Sequence, residues 1–238
     1  MAAPDPKPVL IVLHQEQSTP GRVGLRLMSR GHRLDIRRPR FGDPLPETLA
    51  EHAGAVIFGG PMSANDLDDY IGVETDWVGV ALRERAPFLG LCLGAQMLAR
   101  HLGAAVHPDA EGRVEVGYYP IWPTDAGEAL LRWPDQVHHF HREGFDLPGG
   151  ATLLARGEVF PNQAFAYGPA AFGLQFHIEL TTAMVGRWTR RIAERELMPG
   201  TQLADAHFAG RALHDWKTNE FLERFLDLWL ASDQRTAS

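Results

Sequence analysis

A single cysteine lies at the junction of a predicted strand and a predicted helix, and this junction constrains the fold more than any other part of the sequence. The apolar run Phe88–Leu91 is typical of a buried strand, and a segment that predicts a helix begins at Gly94. Cys92 lies between them, with a glycine two residues away on each side. Small residues on both sides of a reactive residue are typical of a nucleophile elbow, a tight strand-to-helix turn. The amides at the start of the helix favour a thiolate, so the pattern predicts a reactive cysteine rather than a buried apolar one.

A second pattern places a histidine and a glutamate at the end of another predicted strand. Residues 173–176 are typical of a strand, His177 follows them, and Glu179 comes two positions later. Residues i and i+2 of a strand project to the same side, so the carboxylate can hold the imidazole in one tautomer. A base oriented by an acid activates a cysteine nucleophile. The pair alone is more typical of a solvated strand end, so the hypothesis depends on its occurrence together with Cys92.

A third strand is predicted at residues 55–58, and two glycines and a proline follow it. The backbone N–H groups of Gly59 and Gly60 have no side chain to cover them. Such donors stabilise the oxyanion that forms when a thiolate attacks a carbonyl carbon. An ordinary strand-ending turn would use the same residues, so this motif also gains its meaning from the other two.

Together the three motifs resemble, in order and spacing, the signatures of class I glutamine amidotransferases. The likeness is strongest to the amidotransferase part of GMP synthase and its free-standing relatives, and it is clear over residues 45–180. The matching segments are Gly59-Gly60-Pro61, Gly90-Leu91-Cys92-Leu93-Gly94-Ala95-Gln96 and Gln175-Phe176-His177-Ile178-Glu179.

The resemblance implies a role for each matching residue. Cys92 would be the nucleophile, His177 the acid and base, and Glu179 its orienting partner. The N–H groups of Gly60 and Leu93 would form the oxyanion hole.

The resemblance also implies three substrate-binding positions, which are Gly59, Gln96 and His141. Gln96 matches a family residue near the bound glutamine, and His141 aligns with a family histidine near the pocket. One departure is Ile178, because the family usually has proline between the histidine and the glutamate. Proline fixes φ and removes a donor, whereas isoleucine is compatible with extended backbone, so we expect the triad to survive.

Strands and helices alternate in the first part of the chain, which predicts an α/β fold. We expect a three-layer, flavodoxin-like, mostly parallel sheet with helices on both faces, and the three motifs at the carboxyl ends of its strands. The predicted strands are 9–13, 33–37, 55–58 and 88–91, and the predicted helices are 21–30, 74–85 and the segment from Gly94. Later in the chain, residues 113–122 and 136–175 predict antiparallel strands added to the sheet. Residues 181–196 predict a helix, and residues 218–230 a helix whose apolar stripe packs on the body of the protein.

Composition limits the class of protein and its surroundings. A chain of 238 residues with 45% hydrophobic and 22% charged residues is typical of a globular protein, and we expect one domain, 1–238, with a core at about 9–195 and a helical tail at 196–238. The net charge of −7 argues against a nucleic-acid partner. The apolar run 9–13 is too short for a signal core or a membrane span. One cysteine excludes an internal disulfide, so we expect a cytoplasmic protein.

Three further features favour less specific interpretations. The run His138-His139-Phe140-His141 suggests a metal, but no cysteine or carboxylate stands beside it at zinc-like spacing, so we expect neither a metal nor another cofactor. The acidic segment 66–70 is more typical of a solvated turn than of a pocket rim. His14 follows the first strand at the same sheet edge, where a role in substrate binding is open but unspecific.

The resemblance implies cleavage of the γ-amide of glutamine or of a small γ-glutamyl compound through a γ-glutamyl thioester. Two alternatives within the family are a glutaminase subunit that delivers ammonia to a separate synthase and a catalytically silent regulatory homologue. A PfpI-type cysteine hydrolase is a further alternative, which the Gly-Gly-Pro and Gln-Phe-His-x-Glu motifs disfavour. The sequence contains no pyrophosphatase loop and no phosphate-binding loop of a synthase, which favours a free-standing hydrolase.

Overall fold

The computed structural model describes residues 5–193, 198–233 and 235. The strands are β1 (Val9–Val12), β2 (Leu34–Arg37), β3 (Gly54–Ile57), β4 (Phe88–Leu91), β5 (Val106–Pro108), β6 (Glu115–Pro120), β7 (Trp122–Pro123), β8 (Gln136–His141), β9 (Glu143–Phe145), β10 (Thr152–Arg156), β11 (Ala164–Tyr167) and β12 (Ala171–Leu174). The α-helices are α1 (Gly21–Ser29), α2 (Asp69–Glu84), α3 (Leu93–His101), α4 (Asp125–Leu130), α5 (Thr182–Ala193) and α6 (Ala204–Ala231).

The main sheet has eight strands in the order β2-β1-β3-β4-β12-β11-β10-β7. The five strands from β2 to β12 are mutually parallel, and β11, β10 and β7 continue the sheet in antiparallel pairing. The parallel part has the order of flavodoxin-like sheets, in which sites form at the carboxyl ends of the strands. The predicted α/β fold with a mostly parallel sheet and added antiparallel strands is therefore confirmed.

Helices cover both faces of the sheet because its central strands are apolar on both sides. In β1, Val9 and Ile11 belong to one buried cluster and Leu10 and Val12 to the other. The first cluster includes α1 and the apolar stripe of α6, and the second includes α2 and α3. The three predicted layers and the packing of the C-terminal helix on the body are confirmed.

Two expectations about the fold were wrong. Helix α2 begins at Asp69, five residues before the predicted start; residues 66–68 are exposed and lead into the helix, so the acidic segment is solvated as expected but its last two residues are helical. Carboxylates are favourable there, at the positive end of the helix dipole. In addition, not every added strand joins the main sheet: β5 pairs with β9 and β6 with β8 in two separate two-stranded sheets.

Two boundaries from the sequence cannot be compared with the structure in full. The predicted helix 181–196 is observed as α5, and residues 194–197 lie outside the described part of the chain. The predicted border between core and tail, at 195–196, falls on the same residues. In the described residues, no helix combines the length and the apolar character that crossing a membrane requires.

Candidate active site

Cys92 lies at the tight turn between β4 and α3 that the sequence predicts. Its φ of 50° and ψ of −105° are unusual for a residue with a side chain, and such strain is found where surrounding structure imposes it. Here the Cys92 N–H donates to the Leu174 carbonyl at 2.8 Å, which ties the turn to β12. A Cβ atom at Gly94 would lie 2.1 Å from the Ile57 carbonyl oxygen, so the helix packs this closely against β3 only with glycine there. The cysteine is buried, with 5% of its surface exposed.

His177 and Glu179 lie beyond the end of β12 rather than on it. The strand ends at Leu174, and the residues that follow form bends, so the expectation of a strand running to Phe176 was wrong. The His177 N–H donates to the His138 carbonyl at 2.9 Å, which positions the bend against β8. His177 Nδ1 still lies 2.7 Å from Glu179 Oε1. The pairing that strand geometry predicted therefore exists, although a bend brings it about.

Ile178, which stands where the family has proline, is fully buried in the core. Its side chain belongs to the same buried apolar cluster as Leu174 and Phe176, which anchors the bend in the core. The short distance between His177 and Glu179 is present with isoleucine between them.

The charge of the imidazole of His177 depends on its surroundings. Burial disfavours the charged ring, but the negative charges of Glu179 and of Cys92 as a thiolate outweigh it and raise the pKa of His177 to about 10. His177 Nε2 is buried, and the side chain of Cys92 as well as that of Glu179 interacts with the ring. The ring of Trp188 packs edge-on against His177, with centroids 4.8 Å apart. The arrangement favours an imidazolium that faces the thiol.

Gly59 borders both Cys92 and His177. A Cβ atom at position 59 would lie 3.1 Å from His177 Cε1 and 3.3 Å from Cys92 Cβ. The predicted glycine loop is thus brought beside the elbow by the parallel pairing of β3 with β4. Leu93 is the first residue of α3, so its N–H has no acceptor within the helix.

A buried histidine and glutamate hold the glycine loop from behind. His14 Nδ1 lies 3.2 Å from the Gly59 carbonyl oxygen, and His14 Nε2 lies 2.6 Å from Glu74 Oε2. Both side chains are fully buried. A carbonyl only accepts, so Nδ1 carries a proton, and a second proton lies between Nε2 and the carboxylate. In a trans peptide the C=O and the following N–H point in opposite directions, so this contact directs the Gly60 N–H away from His14.

A cleft of about 230 Å³ opens over these residues. Cys92, Gly60, Gln96, His141 and His177 are among the residues that line it. The Gln96 side chain donates to the Glu143 carbonyl at 2.9 Å and to Gln175 Oε1 at 3.2 Å. It is therefore held in place within the wall of the cleft.

Sequence reasoning missed several residues around the site. Glu74 is on α2 and Trp188 on α5, and neither stands near a motif in the sequence. His14 was considered for the substrate, whereas its ring contacts the backbone of the glycine loop. The one sequence signal for this contact was the position of His14 after β1, because β1 lies beside β3, the strand that the glycine loop follows.

Fold and site together define the class of the protein: a parallel α/β protein with an elbow cysteine beside a buried histidine–carboxylate pair. The family described as glutamine amidotransferase class-I matches residues 22–187. The chain belongs to the class I glutamine amidotransferase family, as the three motifs predicted.

Individual relatives agree with this assignment. The chain is 32% identical to the glutamine amidotransferase-like protein YfeJ of Salmonella typhimurium, over 95% of this chain and 99% of the relative. It is 28% identical to one subunit of the glutamine-hydrolysing GMP synthase of Methanoregula boonei, over 60% of this chain and 74% of that subunit. The solved glutamine amidotransferase of Methylobacillus flagellatus is similar with a TM-score of 0.88 and 28% identity, and 95% of both chains is covered.

Proposed function

We propose that this protein is a cysteine-dependent hydrolase that cleaves the γ-amide of glutamine or of a γ-glutamyl compound. The observation that carries the proposal is the meeting of three groups in one cleft. The elbow thiol of Cys92, the buried pair of His177 and Glu179 and the backbone of Gly59 and Gly60 come from three different strand ends. Nucleophile, base and oxyanion donors in one pocket are what acyl transfer requires.

In the proposed reaction, the Cys92 sulfur forms a bond with the γ-carbonyl carbon. The resulting oxyanion accepts hydrogen bonds from the N–H groups of Gly60 and Leu93, and each such donor contributes about 3–4 kcal/mol. The His177 imidazolium gives its proton to the leaving nitrogen, which departs as ammonia or an amine. His177 then takes a proton from water, the water oxygen attacks the thioester carbon, and the product leaves with a γ-carboxylate while the thiol is restored.

The surroundings of the glycine loop support activity without a partner. The contact of His14 with the Gly59 carbonyl holds one side of the peptide whose N–H is the proposed oxyanion donor. Glu74 fixes the His14 ring from behind through a 2.6 Å contact. We propose that this buried pair keeps the oxyanion hole formed in the isolated chain, because a donor that is already aligned needs no reorganisation during the reaction.

The runner-up function is a glutaminase subunit that passes ammonia to a separate synthase. The similarity to a protein that is named as one subunit of a GMP synthase favours this alternative. A catalytically silent regulatory homologue is the third candidate, and the presence of all the proposed catalytic residues disfavours it.

The test is the release of glutamate by the purified chain from glutamine and from several γ-glutamyl amides and dipeptides. We expect turnover of at least one of these substrates and a γ-glutamyl adduct on Cys92 in quenched reactions examined by mass spectrometry. Cys92→Ser is the matched control, since it changes one atom, and we expect less than about 10% of the turnover with an unchanged unfolding midpoint.

Three results would contradict parts of the proposal. Turnover retained by Cys92→Ser would exclude Cys92 as the nucleophile. Activity that appears only after a second protein is added would identify an amidotransferase that works within a complex. An absence of glutamate release under both conditions would identify the silent homologue.

A further inference from the structure

A second cluster of polar side chains lies on the antiparallel pair of β6 and β8, next to the cleft. In this antiparallel pair Glu115 stands directly opposite His141, and His139 precedes His141 by two residues. Alternation along a strand therefore places His139 and His141 on one face, together with Glu115. All three side chains are buried, and His141 also lines the cleft. His138 points the other way and contacts His207 instead.

The donor atoms of the three side chains converge on one point. His139 Nδ1 lies 3.0 Å from His141 Nε2, and Glu115 Oε2 lies 3.1 Å from His141 Nε2 and 3.4 Å from His139 Nδ1. A tetrahedral zinc site with bonds of about 2.0–2.2 Å separates its ligand atoms by roughly 3.3–3.6 Å. The observed distances agree with that spacing to within a few tenths of an ångström, and two histidines with one carboxylate form a common ligand set.

The hydrogen bonds around the cluster turn the free donor atoms of its side chains toward one point. His141 Nδ1 lies 3.0 Å from the Glu143 carbonyl oxygen, so this nitrogen carries a proton. In a neutral ring His141 Nε2 is then a bare lone pair, and it faces the Glu115 oxygen at 3.1 Å. His139 Nδ1 lies 3.0 Å from His141 Nε2 and 3.4 Å from Glu115 Oε2, so the three atoms face one another with either a ring proton of His139 or a metal ion between them.

The groups behind the cluster match the second shell of a metal site. A ligating histidine usually donates its other ring N–H to a carbonyl or carboxylate, as His141 does to Glu143. The ligating carboxylate is usually hydrogen-bonded as well, and Gln163 Nε2 donates to Glu115 Oε2 at 2.8 Å. Both hydrogen bonds orient the donor atoms of Glu115 and His141 toward the centre of the cluster.

We propose that Glu115, His139 and His141 bind a divalent transition-metal ion, and that Zn²⁺ fits the site. The ion links β6 to β8 beside the wall of the cleft. This inference does not depend on the proposed hydrolysis, since none of its three ligands belongs to the proposed triad. It departs from the sequence-based expectation of no metal, because strand pairing brings the carboxylate of Glu115 opposite His141.

The test is metal binding by the purified full chain after treatment with a chelator and removal of that chelator. We expect one equivalent of Zn²⁺ by calorimetry and elemental analysis, and visible absorption bands of a bound Co²⁺ probe. Fe²⁺ added without oxygen and Mg²⁺ are the comparison ions, and Mg²⁺, which prefers oxygen ligands, should not bind. We expect Glu115→Gln and His139→Gln to abolish binding and Gln163→Leu to weaken it about 10–100-fold.

His107→Gln is the matched control for adventitious binding, because it removes an imidazole that is 54% exposed and forms an ion pair with a surface aspartate. This variant should bind like the wild type. If wild-type protein binds no Zn²⁺ or Co²⁺, or if Glu115→Gln binds them equally well, hydrogen bonds alone hold the cluster together and the proposal is wrong. The wild-type measurement decides the question even if a cluster variant fails to fold.

Discussion

His177 owes its charge to two neighbouring residues, and this makes the stability of the protein depend on pH. Its pKa is raised from the ordinary 6.5 to about 10. The part of this rise that Glu179 causes makes the folded state hold a proton that the unfolded state releases, whereas the part that a Cys92 thiolate causes moves a proton from sulfur to nitrogen and leaves the number of bound protons unchanged. The stabilisation is fully present below pH 6.5 and is lost as the pH rises through 10. The free energy of unfolding should therefore fall by up to about 1.4 kcal/mol per pH unit in this window.

The measurement is urea unfolding of wild type and Glu179→Gln from pH 6 to pH 10. The variant removes the anion next to His177 Nδ1, so the pKa of His177 should drop. The free energy of unfolding should then begin to fall at a lower pH in the variant than in the wild type. Comparison of the two proteins cancels the contribution of groups that titrate elsewhere. If the free energies of unfolding of the two proteins fell in parallel as the pH rises, Glu179 would not control the charge of His177.

The role of His14 can be separated from a purely structural one. In the double variant His14→Phe with Glu74→Met, the Gly59 carbonyl loses its donor while no buried charge is left unpaired. We expect kcat to fall by about 10²–10³-fold, the loss seen when an oxyanion donor is removed, with KM nearly unchanged. His14→Asn combined with Glu74→Met keeps a donor close to the position of Nδ1, leaves no buried charge unpaired, and should recover part of kcat. An unchanged kcat in the first double variant would exclude a role of the pair in the oxyanion hole.

At the scale of elements, the contact between β3 and α3 depends on a glycine. A Cβ atom at Gly94 would lie 2.1 Å from the Ile57 carbonyl oxygen, whereas one at Gly72 in α2 would meet nothing within 4 Å. Gly94→Ala should therefore lower the free energy of unfolding by about 1–3 kcal/mol through overpacking. Gly72→Ala should raise it by about 1 kcal/mol, because alanine is the better helix former. Thermal unfolding of both variants checks the opposite signs, and a stabilising Gly94→Ala would contradict the close packing.

The sequence predicted the central elements better than their ends. The apolar runs predicted the ends of β1, β3 and β4 to within about one residue of the observed ends. A strand that is buried on both faces has an uninterrupted apolar sequence, which makes its ends easy to locate. The end of β12 and the start of α2 were misplaced. Both depend on backbone contacts across the fold or on capping, which periodicity does not register.

At the scale of the whole molecule, a single domain stays a prediction, and α6 offers a test of it. Phe225 of α6 is fully buried and packs edge-on against Phe172 of β12, with centroids 5.4 Å apart. Phe225→Ala should lower the free energy of unfolding by about 3–5 kcal/mol. If the chain is one domain, this loss of stability shifts a single unfolding transition, and far-UV and near-UV circular dichroism give the same midpoint for it.

Phe208→Ala is the control on the same helix, since Phe208 is 42% exposed, and we expect a change within about 0.5 kcal/mol. Two separate transitions, only one of which moves in Phe225→Ala, would show that the C-terminal helix and the sheet unfold independently.

The sequence by itself determined the fold class, the family and the proposed triad, because these depend on local patterns. Apolar runs, an elbow with small residues around Cys92, and the spacing of His177 and Glu179 can all be read within a few positions. Only the tertiary structure decided the rest. Glu74 reaches His14 because α2 packs beside β1, and Glu115 reaches His139 and His141 because β6 pairs with β8. These partners are distant in the chain, and the packing that joins them leaves no periodic signal in the sequence.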